Sequence, residues 1–227
     1  MSAWKVLLTD GLEENGKEIL RGMAEVVDQP GISADELLTV VGEYDALIVR
    51  GRTKVTAAVF EAGRNLKVVG RAGVGVDNID LAAARAHGVT VVNSPLATTV
   101  AVAELTLSLM LSVVREIPRA DASMKSGKWL KKEFEGHELF GKTLGVMGFG
   151  RIGAAVAERA KAFGMKILAF DPLVSAEDIV KRGGEAVSGI PVYDKIAEAV
   201  KAHGNFDLSV TFIPGPSLKE AVLEAMD

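Results

Sequence analysis

Three glycines past the middle of the chain have the spacing of a phosphate-binding turn. The stretch GVMGFGRIG places Gly148, Gly150 and Gly153 in the pattern G-x-G-x-x-G. In this pattern the first glycine allows a tight turn, the second lets the backbone approach a pyrophosphate, and the third lets a helix pack closely on a strand. The free N–H groups at the start of that helix attract phosphate oxygens. The spacing therefore predicts a turn that binds the pyrophosphate of a dinucleotide.

The residues around this turn strengthen the prediction. A lone match would mean little, because the chain contains 24 glycines. Here the apolar run TLGVM precedes the turn and the helical pattern RIGAAVAERAKAF follows it. The next apolar run, KILAF, ends in Asp171, where a carboxylate binds the adenosine ribose and repels a 2′-phosphate. This combination favours NAD over NADP, and it disfavours the alternative that the glycines serve packing alone.

The chain offers few other residues for catalysis or metal binding. It has no cysteine, which excludes a disulfide scaffold, a thiolate metal site and a cysteine nucleophile. Of the three histidines, His87 and His203 precede glycines at predicted helix ends, and His137 lies in a polar connector. None has a metal-ligand spacing. The polar residues Asp77, Asn78 and Asp80 are better explained by turn and helix-cap chemistry than by a carboxylate cluster. We therefore predict no catalytic residue and no metal ligand.

The composition of the chain excludes some classes of binding partner. The net charge is -4, so the chain lacks the basic surface that nucleic acid or an anionic membrane would require. The most apolar segment, residues 101–114, is too short to span a membrane and contains Glu104. It predicts a buried or interface helix. The first residues lack a basic region followed by an apolar stretch, so we predict no signal peptide and a cytoplasmic location.

The elements that must position these residues alternate between strands and helices. In the first half, apolar β-rich runs and helical patterns follow one another, and the same alternation resumes at Thr143. Such alternation predicts βαβ units and parallel sheets. The fold class is therefore α/β, with doubly wound units over residues 1–95 and 96–227, joined by the long apolar helix. We place that helix at about residues 101–117, with Pro118 ending or kinking it and a polar connector from Asp121.

The predicted strands and helices can be given by residue number. The predicted strands are 5–9, 25–28, 46–50, 66–70, 89–93, 143–147, 166–170, a short one near 192, and 208–213. The predicted helices besides the apolar one are 13–23, 34–41, 56–62, 80–87, 151–163, 176–182, 194–203 and 217–226.

Six stretches within residues 1–188 resemble the NAD-dependent D-2-hydroxyacid dehydrogenases, most closely the D-3-phosphoglycerate dehydrogenases. They are LIVRGRTKVT, LKVVGRAGVGVDNIDL, VAELTLSLML, ASMKSGKW, GKTLGVMGFGRIG and AFGMKILAFDP, in the order of that family. The resemblance implies a flavodoxin-like substrate domain, incomplete, in residues 1–95 and a Rossmann-type NAD-binding domain in residues 96–227. It also implies hydride transfer between NAD and a phosphorylated 2-hydroxy acid.

The resemblance implies roles for individual residues. The substrate pocket would be lined by Arg50 and Gly51. The substrate carboxylate would be held by the N–H groups of three consecutive residues, a nest that suits an anion on physical grounds as well. These residues are Gly73, Val74 and Gly75, of which Val74 would also contact the cofactor. Lys131 falls near a cation that the family uses on the substrate phosphate, and Arg151 and Ile152 would contact the cofactor phosphates.

The resemblance also sets expectations about activity and assembly. The Arg, Glu and His that catalyse the reaction in this family have no match in the 227 residues. We therefore expect these residues alone to have little or no activity. The family's dimer interface corresponds to residues 101–115, and an apolar face of residues 1–95 is also expected to stay exposed. We therefore predict a homo-oligomer, formed through the helix or through that face.

The tail from about residue 183 resembles a second family, the CoA-binding domain of the succinyl-CoA ligase alpha subunit. The matching stretches are GIPVYDKIAEAV and SVTFIPGPSLKEAVLEAMD, and in that family the loop matching residues 212–216 lines the CoA site. Because both families are doubly wound, the tail would continue the sheet and place Ile213 beside the glycine turn, where it would contact NAD. The two resemblances together predict that the chain is a mosaic of two related folds, natural or engineered. Alternatives are a non-catalytic nucleotide or CoA binder, or a chimera without function.

Overall fold

A computed structural model describes residues 4–171, 190–193 and 195–213. The chain divides into two compact units, Met1–Thr98 and Thr99–Asp227. Within the described residues, no helix combines the length and the apolar character needed to cross a membrane. The helices predicted over residues 176–182 and 217–226 lie outside the described residues.

The first unit contains a five-stranded sheet in the order β2-β1-β3-β4-β5. Every neighbouring pair is parallel. This order changes direction between β1 and β3, and ligands of open α/β sheets bind outside the carboxyl ends of the strands at such a switch point. The strands are β1 (Trp4–Leu8), β2 (Ala24–Asp28), β3 (Ala46–Val49), β4 (Val68–Arg71) and β5 (Thr90–Asn93).

Helices cover both faces of this sheet. On one face, Leu7, Leu47 and Val69 pack with side chains of the second, third and fourth helices. On the other face, Val6 and Leu8 pack with the half-buried Leu12 and Leu20. A sheet that is buried on both faces explains why its strands read as continuous apolar runs. The helices are α1 (Glu14–Arg21), α2 (Ala34–Val40), α3 (Ala57–Ala62) and α4 (Leu81–Ala86).

The described part of the second unit contains a four-stranded parallel sheet in the order β8-β7-β6-β9. Here the order changes direction between β6 and β9, so the switch point lies where β6 ends. The strands are β6 (Thr143–Met147), β7 (Lys166–Phe170), β8 (Val192–Tyr193) and β9 (Leu208–Thr211), and the helices are α5 (Thr99–Val114), α6 (Ile117–Lys125), α7 (Arg151–Ala162) and α8 (Ile196–His203). The α/β class with two parallel sheets is as the sequence predicts.

The apolar helix differs from its prediction at its carboxyl end. α5 stops at Val114, Glu116 adopts a left-handed conformation with φ 53°, and α6 begins at Ile117. Pro118 lies in the first turn of α6, where its missing N–H costs no helical hydrogen bond. Proline therefore starts a helix here, and the predicted polar connector is helical as far as Lys125. α5 itself packs against α7 within the second unit.

Candidate functional site

Two of the three glycines in the turn are required by packing. Gly148 has a φ of +89°, and a Cβ built on it would lie 2.8 Å from the carbonyl carbon of Phe212. A Cβ on Gly153 would collide with the carbonyl oxygen of Gly148 and lie 3.2 Å from a methyl carbon of Val146. These two positions would therefore require glycine with or without a ligand.

Gly150 differs from its two neighbours in the motif. It precedes the first residue of α7 with φ -78° and ψ -160°, a conformation open to any residue. A Cβ built there would meet no atom of the described residues within 4 Å. Packing therefore does not explain this glycine. The open space lies beside the amino end of α7, where helical N–H groups lack intrahelical partners.

Asp171 is bound to the same turn. Its Oδ2 accepts a hydrogen bond of 2.8 Å from the backbone N–H of Phe149, and the residue is only 8% exposed. The carboxylate follows β7, which is the neighbour of β6 in the sheet. The fold thus brings Asp171 to the turn from 22 residues away.

Ile213 lies at the same edge of the second sheet. Its backbone nitrogen would be 3.3 Å from a Cβ on Gly148, and its side chain packs with Met147 and Ile196. At the start of α7, Arg151 is exposed and Ile152 is half-buried. Lys131 is an exposed residue of the short 3-10 helix Lys131–Glu133 in the same unit.

In the first unit, the residues predicted to bind substrate follow two neighbouring strands. Arg50 and Gly51 follow β3 and are exposed, as are Val74 and Gly75 after β4. Gly73 is buried, and its N–H already donates to the carbonyl oxygen of Arg71 at 2.8 Å. Of the predicted nest, the N–H groups of Val74 and Gly75 are therefore those that remain for an anion.

Sequence reasoning missed Arg71, which ends β4. Its guanidinium lies against Gly73, where an added Cβ would collide with Nη1. Its Nε is buried and has no hydrogen-bond partner among the described residues. A cation thus lies within the loop that carries Val74 and Gly75. The signal available in the sequence was its position at the carboxyl end of a strand.

Asp10, which lies two residues after the end of β1, was also missed. Its side chain is 3% exposed. Its Oδ2 accepts hydrogen bonds from the backbone N–H groups of Arg50 at 2.7 Å and Thr53 at 3.1 Å. Its Oδ1 accepts from the Thr53 hydroxyl and lies 3.2 Å from the Arg52 guanidinium. The carboxylate thus binds the connection that follows β3.

Asn78 binds the same connection from the other side. Its Nδ2 donates to the carbonyl oxygens of Arg50 at 3.0 Å and Thr53 at 2.7 Å. The backbone carbonyl of Asn78 also accepts from the N–H of Val55 at 2.8 Å. The interpretation of residues 77–80 as turn and cap chemistry agrees with the Asp80 side chain, which accepts from the N–H of Ala83. It did not anticipate the contacts of Asn78.

The environment of Asp10 lowers its pKa. Burial is the largest influence and raises the pKa, but the hydrogen bonds from Thr53 and Arg50 and the charge of Arg52 together outweigh it. The ionised form is therefore stabilised by folding. Its contribution is fully present above about pH 4, the ordinary pKa of aspartate, and is lost as the pH falls through the lowered folded-state pKa.

We expect Asp10→Asn to lower the free energy of unfolding by roughly 1–3 kcal/mol at neutral pH, because the buried donors lose their charged acceptor. The difference between wild type and variant should shrink below about pH 4, where Asp10 itself becomes protonated. Urea denaturation of both proteins across this pH range measures the difference. If the difference in the free energy of unfolding stays constant below about pH 4, the assignment of an ionised, hydrogen-bonded Asp10 is contradicted.

The chain resembles known proteins over nearly its whole length. The model of the D-isomer specific 2-hydroxyacid dehydrogenase catalytic domain matches residues 6–226. A D-3-phosphoglycerate dehydrogenase of Methanocaldococcus jannaschii is 49% identical over 88% of this chain and 38% of its own length. A hydroxypyruvate reductase of Thermotoga maritima is 47% identical over 79% of this chain and 59% of its own length. The matched region thus spans less than two thirds of either relative.

Solved structures agree with these matches. The TT0316 protein of Thermus thermophilus superposes with a TM-score of 0.77 and 32% sequence identity, covering 92% of this chain and 66% of its own. The family is NAD-dependent, which confirms the predicted cofactor class. One conclusion follows from the two parallel sheets, the glycine turn with Asp171 beside it, and the family match over residues 6–226. The chain belongs to the D-isomer specific 2-hydroxyacid dehydrogenases.

Proposed function

We propose that the second unit binds NAD at the glycine turn and that the first unit binds a 2-hydroxy acid through the connections that follow β3 and β4. The observation that carries this proposal is the open space at Gly150. Gly148 and Gly153 have steric reasons to be glycine, whereas the described part of the chain gives none for Gly150. A pyrophosphate that lies against the backbone supplies that reason.

The residues around the turn have distinct tasks in this proposal. The N–H groups at the start of α7 donate to the pyrophosphate, and the Arg151 side chain pairs with its charge. Asp171, held by the N–H of Phe149, accepts from the adenosine ribose hydroxyls. Ile213, in the same unit, is a further predicted contact of the cofactor. NAD, when bound, supplies the hydride chemistry, and the protein supplies binding and orientation.

The charges of the first unit favour an anionic substrate. The N–H groups of Val74 and Gly75 would hold the carboxylate, as a backbone nest does. Arg50 is exposed, Arg71 is half-buried, and neither makes an ion pair among the described residues, so both positive charges remain for an anionic ligand. Two such cations favour a phosphorylated 2-hydroxy acid, the class to which 3-phosphoglycerate belongs, over hydroxypyruvate. Lys131 is proposed as a further cation for the phosphate.

Turnover by these 227 residues alone is expected to be small, because the family resemblance leaves its Arg, Glu and His without a match. Titration calorimetry with NADH, 3-phosphoglycerate and CoA tests the binding proposal, and an assay of NAD reduction tests turnover. We expect NADH and 3-phosphoglycerate to bind and CoA not to bind. Tight CoA binding without NADH binding would favour the alternative of a CoA-type module. Binding of none of the three would favour a chimera without function.

Homo-oligomerisation is part of the same proposal, and it rests on α5. Ala103, Leu107 and Met110 of this helix are buried in the second unit. On another face, three large apolar side chains at a spacing of four residues are exposed by 59%, 58% and 69%. These are Leu105, Leu109 and Val113. A contiguous exposed apolar stripe of this kind marks an association surface. A cytoplasmic location remains the accompanying prediction.

We expect Leu109→Glu to convert the oligomer to a monomer, because a charge cannot be buried unpaired in an apolar interface. Light scattering after size-exclusion chromatography at micromolar concentration measures the mass. Met23→Glu, at an exposed apolar residue of the first unit, is the matched control and should leave the oligomer intact. Dissociation by Met23→Glu alone would place the interface on the first unit. A monomeric wild type would contradict the proposed assembly.

A further inference from the structure

The connection that follows β3 is held by two side chains of complementary hydrogen-bonding type. We name residues 50–53 the RGRT loop. Its donors, the N–H groups of Arg50 and Thr53 and the Thr53 hydroxyl, meet the carboxylate of Asp10. Its acceptors, the carbonyl oxygens of Arg50 and Thr53, meet the amide nitrogen of Asn78. Asp10 therefore bridges the two ends of the loop by accepting from its donors. Asn78 bridges the same two ends by donating to its acceptors.

The arrangement leaves specific groups of the loop for a ligand. The N–H of Arg50 is used by Asp10 and its carbonyl oxygen by Asn78. The Arg52 guanidinium is also used, since it donates to the carbonyl oxygens of Thr9 and Ile32. The Arg50 side chain and Gly51 are exposed, and a Cβ on Gly51 would meet no atom within 4 Å in the part of the chain that the structure describes. The loop thus presents Arg50 and Gly51 outward at the switch point between β1 and β3.

Asn78 connects this loop to the proposed carboxylate site. It lies on the β4–α4 connection, the same segment that carries Val74 and Gly75. Its Nδ2 reaches back across 28 residues to Arg50 and across 25 residues to Thr53. The side-chain amide of Asn78 therefore joins two segments that are proposed to bind one substrate, next to the backbone hydrogen bonds between Val55 and residues 78 and 80. Of these bonds, only those of the amide hold residues 50 and 53 themselves.

We propose that Asp10 and Asn78 are positioning residues for the 2-hydroxy acid, setting the backbone of the RGRT loop against the Val74–Gly75 segment without contacting the ligand. This inference rests on the proposed function, because it takes the first unit as the acid-binding unit. A positioning role has a measurable consequence that a general structural role does not have. Loss of either side chain must weaken binding of the acid more than it weakens binding of the dinucleotide in the second unit.

Asp45 offers a matched control in the same sheet. Like Asp10 it accepts from a backbone N–H, that of Lys5 at 2.9 Å, and pairs with a cation, Lys67. Hydrogen bonds from Lys67 and Lys5 lower its pKa as well. It precedes β3 and has no hydrogen bond to the RGRT loop. Asp45→Asn therefore removes a carboxylate with the same kinds of partner, 23% exposed against 3% for Asp10, and leaves the hydrogen bonds of the loop unchanged.

The experiment compares Asp10→Asn, Asn78→Asp and Asp45→Asn with the wild type in the full chain. Asn78→Asp keeps the shape of the side chain but replaces its donor group with an acceptor. Calorimetry measures the Kd of 3-phosphoglycerate and, separately, of NADH, and amide hydrogen exchange is followed at Arg50 and Thr53. We expect the first two variants to weaken 3-phosphoglycerate binding about tenfold or more, while NADH binding changes less than about twofold. Exchange at both amides should accelerate in these variants only.

The possible outcomes distinguish a failure of the positioning role from a failure of the proposed function. Equal loss of 3-phosphoglycerate binding in Asp45→Asn would overturn the positioning role, since general destabilisation would then suffice. Unchanged acid binding in Asp10→Asn and Asn78→Asp, with the wild type binding normally, would overturn it as well. Failure of the wild type to bind 3-phosphoglycerate would instead overturn the proposed function. In that case the exchange of the Arg50 and Thr53 amides still decides whether the two side chains hold the loop.

Discussion

Replacing Gly150 with alanine should weaken NADH binding by about 10–100-fold while leaving the protein as stable as the wild type. Among residues 4–171, 190–193 and 195–213 the added methyl group meets no atom within 4 Å, and the backbone dihedrals at this position suit alanine. In the proposed complex, however, the methyl group would hold the pyrophosphate away from the helix N-terminus. Loss of one or two charge-assisted hydrogen bonds costs about 1.5–3 kcal/mol, which corresponds to this range.

Gly153→Ala is the contrasting variant for this prediction. Its Cβ would collide with the carbonyl oxygen of Gly148, so α7 must move away from β6. Overpacking of this kind costs about 1–3 kcal/mol, and thermal unfolding should therefore occur at a lower temperature. NADH calorimetry and thermal denaturation of both variants separate a ligand contact from a packing requirement. Normal NADH binding by a stable Gly150→Ala protein would refute the proposed site.

The second prediction with a large expected effect is a change in cofactor preference when Asp171 is replaced. Asp171→Asn keeps an oxygen that can accept from the N–H of Phe149, but it removes the negative charge. We expect the ratio of the Kd for NADPH to the Kd for NADH to fall at least tenfold, about 1.4 kcal/mol, because a 2′-phosphate is no longer repelled. Fluorescence titration with the two nucleotides measures this ratio.

Two further variants sharpen the test of Asp171. Asp171→Ala leaves the N–H of Phe149 without this acceptor in a buried position, which should cost about 1–3 kcal/mol of stability in addition to the change in cofactor preference. Glu158→Gln removes the same charge from an exposed position of α7 and should leave the ratio unchanged. If Glu158→Gln shifts the preference as much as Asp171→Asn, the effect is one of net charge and not of a ribose contact.

Local features of the fold could be predicted because they depend on local physics. The strands over residues 143–147 and 166–170 have the predicted bounds, since each is an apolar run between clear turn signals. Pro118 was misinterpreted because proline either follows the end of a helix or begins one, and the residues around it do not distinguish the two. The chain conformation at Glu116 decides the matter.

The sequence by itself determined the α/β class, the glycine turn with its acid, and the family. These properties are carried by apolar periodicity and by motifs whose residues lie close together in the chain. Only the tertiary structure decided which backbone N–H groups remain free and which side chains hold the loops that we propose bind the substrate. Asp10 reaches Arg50 across 40 residues, and Asn78 reaches Thr53 across 25. Such pairs exist because the sheet order brings the carboxyl ends of β1, β3 and β4 to one edge, and no local spacing encodes that order.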